Sequence, residues 1–199
     1  MAKLPAMGRV KRRLAREIGD GAAIRFYRAC LNHTVLRLAS DPRWRTLLAV
    51  APDTAVAARC WPSPKRLVRI PQGAGDLGVS MQRLFDTLPP GPVVIVGSDI
   101  PGIRPAHIAS AFALLGRADA VFGPAPDGGY WLVGQRRSPR RLVPFARVPW
   151  STAEALAATL DNLSGKIVAF APRLSDVDTI EDYRREGDLA ERLVPSFAP

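Results

Sequence analysis

The stretch Val93-Val94-Ile95-Val96-Gly97 constrains this chain more than any other. It is uncharged, rich in β-branched residues and without polar alternation. Such a run predicts a central parallel strand buried on both faces. It passes straight into Ser98-Asp99-Ile100-Pro101, which takes the chain out of the strand. Shorter apolar runs at Trp44–Val50, Leu67–Ile70, Ala120–Gly123, Tyr130–Gly134 and Ile167–Phe170 read as further strands. Helical patterns separate them at Arg9–Ile18, Gly21–Ala39, Leu77–Leu88, Pro105–Leu115, Thr152–Leu163 and Thr179–Leu193. Strands alternating with helices predict an α/β fold of three layers, a mostly parallel sheet with helices on both faces. The 199 residues fit one domain spanning 1–199. In such sheets ligands bind beyond the carboxyl ends of the strands, so polar motifs at strand ends carry the functional reading.

Composition narrows the classes. The formal net charge is +10, which invites a nucleic-acid partner. However, 24 of the 28 basic residues are arginine, scattered except at Arg9–Arg16 and Arg136–Arg141. They do not interleave with aromatic residues as in a stacking platform. Nucleic acid is therefore disfavoured, and small phosphorylated ligands suit the arginines better. Two cysteines, Cys30 and Cys60, exclude a disulfide framework and fit a reducing compartment. No apolar run reaches the roughly 18 residues of a membrane span, and the first residues lack a signal-peptide block. The expectation is a soluble cytoplasmic protein with no membrane partner. His33 and His107 stand apart without ligand spacing, and no Ser-His-Asp or Cys-His arrangement is visible.

Six motifs fall at strand or helix ends. Asp99 is a candidate ligand for Mg²⁺ or Mn²⁺ bridging to phosphate; a turn-forming aspartate is the equal alternative. Asp176-Val177-Asp178 follows the last strand and offers a second carboxylate. Asp178-x-x-Glu181 also has the spacing of a helix cap, which is the stronger reading of that motif alone. Gly8-Arg9-Val10-Lys11-Arg12-Arg13-Leu14 reads as the start of a helix, where Lys11 and Arg13 would add charge to an anion site. On that pattern Lys11 and Leu14 are not expected to face the sheet together. A solvated basic face is the commoner explanation of such a run.

Pro71-Gln72-Gly73-Ala74-Gly75-Asp76 is a glycine-rich loop between strand and helix. Its glycines would let a base or ribose approach, with Gln72 and Asp76 at the edges; a plain tight turn is the alternative. Asp127-Gly128-Gly129 reads first as a hairpin turn and second as an acceptor-side carboxylate. Ser151-x-x-Glu154 has capping-box spacing at a helix start that could also hold an acceptor group.

Taken in order, these motifs resemble the small transferases called rSAM/selenodomain-associated transferase 1, or arsenosugar-biosynthesis-type glycosyltransferases. The likeness runs from about Ala2 to Tyr183. More distantly the chain is similar to the 2-phospholactate and molybdenum-cofactor guanylyltransferases. The resemblance implies a nucleotide-diphospho-sugar transferase (GT-A-like) fold and a divalent cation, Mg²⁺ or Mn²⁺. It places Gly8, Lys11 and Arg13 at the donor phosphates and Gln72, Gly73 and Asp76 near the nucleoside. It matches Asp99 to the metal-binding carboxylate and Asp178, with Asp176 as alternative, to the second one. Asp127, as a catalytic base, and Ser151 fall on the acceptor side. Two departures stand out: Ala2-Lys3-Leu4-Pro5 begins where the family's first strand ends, so that strand reads as truncated, and Arg12 replaces the family's threonine. The expected activity is metal-dependent glycosyl transfer from a nucleotide sugar to a small acceptor. The alternatives are nucleotidyl transfer from an NTP and a weakly active nucleotide-binding accessory protein.

Overall fold

The computed structural model describes residues 1–65 and 67–186. Its contacts divide the chain into two compact units. The first comprises residues 1–71, 98–104 and 175 onward; the second comprises residues 72–97 and 105–174.

The first unit carries a three-stranded parallel sheet of β1 (Ala2–Lys3), β2 (Leu47–Ala51) and β3 (Val68–Pro71), in that order. β1 has two residues, paired Ala2 to Val50 and Lys3 to Ala51. The Leu4 N–H extends the ladder to the Ala51 carbonyl. Helices α1 (Arg12–Ile18) and α2 (Asp20–Ala39) precede β2, separated by Gly19 at positive φ. The buried residues of α2, Ala23, Ile24, Phe26, Tyr27, Cys30, Leu31, Thr34, Val35 and Leu38, fall on one broad face of a 3.6-residue period. That face and the strands build a core from Ile24, Tyr27, Leu31, Val35, Leu48, Val50 and Trp61. The last helix described, α6 (Ile180–Arg185), belongs to this unit. The expected continuation of that helix to Leu193 lies outside the described residues.

The second unit holds a four-stranded sheet ordered β4 (Val93–Val96), β6 (Tyr130–Gln135), β5 (Ala120–Pro124), β7 (Val168–Phe170). Helices α3 (Leu77–Thr87), α4 (Pro105–Leu115) and α5 (Ala155–Asp161) complete it. β5 and β7 are parallel, whereas β6 is antiparallel to both β4 and β5. The α/β class is as expected, with one strand reversed. The reversal follows from the chain: β5 and β6 are joined by five residues, too few for a parallel crossover, which needs a dozen or more.

The structure departs from the expectation that Val93–Gly97 forms a central parallel strand buried on both faces. Within its sheet β4 stands at one end and pairs antiparallel with β6, and of its residues only Ile95 is buried. Apolar composition sets the tendency to pair; which strand becomes the neighbour depends on distant chain. No helix among the described residues is long and apolar enough to cross a membrane.

Candidate functional site: a carboxylate cluster around a buried lysine

Three carboxylates of the first unit converge. One oxygen each from Asp99, Asp176 and Asp178 lies within 4.8 Å of the others. Val177 explains how the pair arrives together. Its side chain is fully buried against Leu14, Phe26 and Cys30, with Ile18, Ile180 and Tyr183 packed around them. Phe26 and Tyr183 close that cluster edge to face at 5.2 Å. With Val177 anchored, the two aspartates flanking it stand beside Asp99.

Lys11 fills the centre. Its Nζ lies 2.5 Å from Asp99 Oδ2 and donates to Asp178 Oδ1 at 2.6 Å. The lysine side chain is 3% exposed, against 28% for Asp99 and 47% for Asp178. The cluster is thus open on its carboxylate side and closed on its lysine side. Burial alone would strip the charge from Lys11, but Asp99 and Asp178 outweigh it and hold the ammonium above its ordinary pKa. Burial likewise would raise the Asp99 carboxyl, and the Lys11 charge and hydrogen bond instead hold it below the usual carboxylate range.

The backbone makes this placement possible. Lys11 is the residue before α1 and sits in the left-handed region, φ 48 and ψ 43. For a non-glycine residue that conformation costs roughly 1–2 kcal/mol. It also corrects the expectation that Lys11 and Leu14 cannot face inward together. Helical spacing does not govern Lys11, and both residues are buried. Arg13, two residues further on, is exposed, and so is Gly8.

Asp178 reaches Lys11 because another residue caps α6. The cap is Thr179, whose Oγ1 accepts from the Asp182 N–H while Asp182 accepts from the Thr179 N–H. The capping box is thus displaced by one residue from the expected Asp178-x-x-Glu181. The second proposed box, Ser151-x-x-Glu154, is not formed either: α5 begins at Ala155, and its N-cap Glu154 makes no side-chain cap. Ser151 is exposed at positive φ, while Thr152 Oγ1 donates to the Pro149 carbonyl.

The remaining expected site residues lie in the second unit. Asp76 caps α3, accepting from the Val79 N–H at 2.8 Å. Gly73 has φ +80, and Arg83 donates to the carbonyls of Gln72 and Ala74 on either side of it. Asp127 sits in the β5–β6 hairpin and accepts from the Gly129 N–H at 2.9 Å. The structure therefore gathers Lys11, Asp99, Asp176 and Asp178 in one unit and gives Asp76 and Asp127 backbone partners in the other. Of the histidines, His33 meets Arg37 on the surface of α2 and His107 lies edge-on to Trp131.

Sequence reasoning missed Tyr27. Its hydroxyl donates to the Lys3 carbonyl, accepts from the Lys3 N–H and lies 3.4 Å from Ser98 Oγ. It thereby ties β1 to the segment that carries Asp99. Helical periodicity marks Tyr27 as inward-facing; nothing local marks its hydroxyl partners.

The donor set suits a hard divalent cation. It consists of carboxylate oxygens alone, as Mg²⁺ and Mn²⁺ prefer, and a cationic group already rests against two of the three. The Met1 amino group is also buried beside Asp99, and burial pulls its pKa down to about 6, so at neutral pH the three carboxylates still outnumber the positive charge set against them.

Residues 34–152 match the family DUF2064, described as "Uncharacterized protein conserved in bacteria". Among solved structures, the fold is similar to a "putative nucleotide-diphospho-sugar transferase" from Desulfovibrio desulfuricans G20. The two are 26% identical with a TM-score of 0.77, over 96% of this chain and 95% of that one. Rv0371c of Mycobacterium tuberculosis H37Rv shares the fold at 18% identity and TM-score 0.51, over 92% of each chain. Its homologue from Mycobacterium sp. strain JC1 does so at 19% and 0.52, over 82% of this chain and 84% of that one. No curated protein matches.

Proposed function

We propose that this chain, which belongs to the DUF2064 family, transfers a glycosyl group from a nucleotide sugar to a small acceptor with Mg²⁺ or Mn²⁺ as cofactor. The observation that carries this reading is the meeting of Asp99, Asp176 and Asp178, of which Asp99 and Asp178 hold the buried Lys11 ammonium. The likeness to the Desulfovibrio protein supports the choice of donor. Membership of the rSAM/selenodomain-associated transferase 1 group is part of the same proposal.

Asp99 and Asp178 are the residues to hold the cation, with Asp176 beside them. What a bound divalent ion supplies there is compensation of the charge on a departing diphosphate. Lys11 and Arg13 contribute positive charge to the donor phosphates. Gln72, Gly73 and Asp76 are assigned to the nucleoside, and Ser151 to the acceptor side, on the resemblance of their motifs. Asp127 is assigned the acceptor proton on the same ground. The two free cysteines, one buried and one exposed, accord with a cytoplasmic setting.

The test is product analysis with nucleotide sugars and Mn²⁺. Release of nucleoside diphosphate, strongly slowed by Asp99→Asn, is the expected result. Pyrophosphate release from an NTP would instead assign nucleotidyl transfer. Absence of both products, together with Mn²⁺-independent nucleotide binding, would overturn the enzymatic reading.

A further inference from the structure

We infer that Lys11 is an internal cation that holds the carboxylate cluster until a divalent ion displaces it, so that the free ammonium then becomes available to the anionic part of the donor. The inference rests on the reading of Asp99 and Asp178 as cation ligands given above.

Lys11 Nζ lies 2.5 Å from an Asp99 oxygen and 2.6 Å from an Asp178 oxygen. A second cation bound to those oxygens would lie beside the ammonium in a partly dry site, where like charges repel strongly. Either the ion stays out or the ammonium leaves. The lysine side chain is almost fully buried, whereas Asp178 is half exposed, so an entering ion reaches the carboxylates from the open side. Once displaced, a buried ammonium without an anion is unfavourable. A diphosphate supplies the missing charge, which makes cation and donor bind with mutual reinforcement. Lysine suits the role, being a compact point charge on a flexible stem.

Mn²⁺ binding without nucleotide, read by electron paramagnetic resonance, separates the possibilities. Lys11→Gln should bind Mn²⁺ about tenfold more tightly than the native chain, because the competitor is gone. Lys11→Arg should stay near native. Arg12→Gln, which removes a nearby exposed charge, should also stay near native. Equal tightening in Arg12→Gln, or no tightening in Lys11→Gln, overturns the inference. A second measurement needs no variant. Acylation of Lys11 in the native protein, followed by mass spectrometry, should accelerate when Mn²⁺ saturates the site and slow again when a nucleoside diphosphate is added. An unchanged rate overturns the inference equally. Failure of the underlying reading looks different: Mn²⁺ would then bind the Asp99→Asn, Asp178→Asn double variant as it binds the native chain.

Discussion

Asp76 and Asp127 of the second unit differ from Asp99 and Asp178 of the first in what they bind, and the difference separates scaffold from chemistry. Asp76 and Asp127 each accept a backbone N–H, one at a helix start and one in a hairpin. Asp99 and Asp178 meet a buried ammonium instead. A carboxylate turned to the local backbone satisfies the fold at the point where the chain changes direction. A carboxylate turned to a charge from distant chain holds an electrostatic field that a ligand can use. In the first unit, the backbone work is done by neighbours: Thr179 and Asp182 cap α6, which leaves Asp178 available.

Substitutions can break this contrast. The largest effect is expected for Asp99→Asn. Loss of one charge from the cluster should lower the rate of nucleoside diphosphate release by about 10²–10³-fold, in line with several kcal/mol of charge stabilisation. Its urea midpoint, measured in parallel, shows how much of the loss is folding. Gly128→Ala tests the scaffold side. A Cβ there would come within 2.0 Å of the Ala153 carbonyl oxygen, at φ +84. Overpacking and backbone strain together should cost about 2–4 kcal/mol in urea unfolding. Thr179→Ala removes the α6 cap and should cost about 1 kcal/mol by the same method. A larger drop in Mn²⁺ affinity than in stability would show that the cap also positions Asp178.

The smallest effect concerns acid stability in the second unit. Asp119 accepts from the Ile167 N–H and pairs with Arg136. The Ile167 hydrogen bond first, and the Arg136 contact after it, hold its carboxyl below the ordinary value. A depressed carboxyl stabilises the fold above that range and loses its contribution as pH falls through the folded value. Melting temperature should therefore fall more steeply on acidification in the native chain than in Asp119→Asn.

Much of the element order was legible from sequence. Pro105–Leu115 is a helix over the residues its pattern predicts, and each expected strand appears within a few residues of its apolar run. The hairpin at Asp127-Gly128-Gly129 follows from local turn chemistry. Asp99 was legible as a strand-end carboxylate, and Asp176-Val177-Asp178 as a candidate second source. The errors share a cause. The α6 cap differs by one residue because Thr179 and Asp178 are both competent N-caps, and only the burial of Val177 and the pull of Lys11 choose between them. The position of β4 was misread because an apolar run does not say which strand will lie beside it.

By itself, then, the amino-acid order determined the alternation of strands and helices, the turns, and the supply of acidic groups at chain reversals, since all of these depend on residues a few positions apart. Tertiary structure decided the direction of strand pairing, the inward turn of Lys11, and the meeting of residues 11, 99 and 178. Those outcomes require burial and charge to be balanced between segments far apart in the chain, a balance that exists only once the core has closed around them.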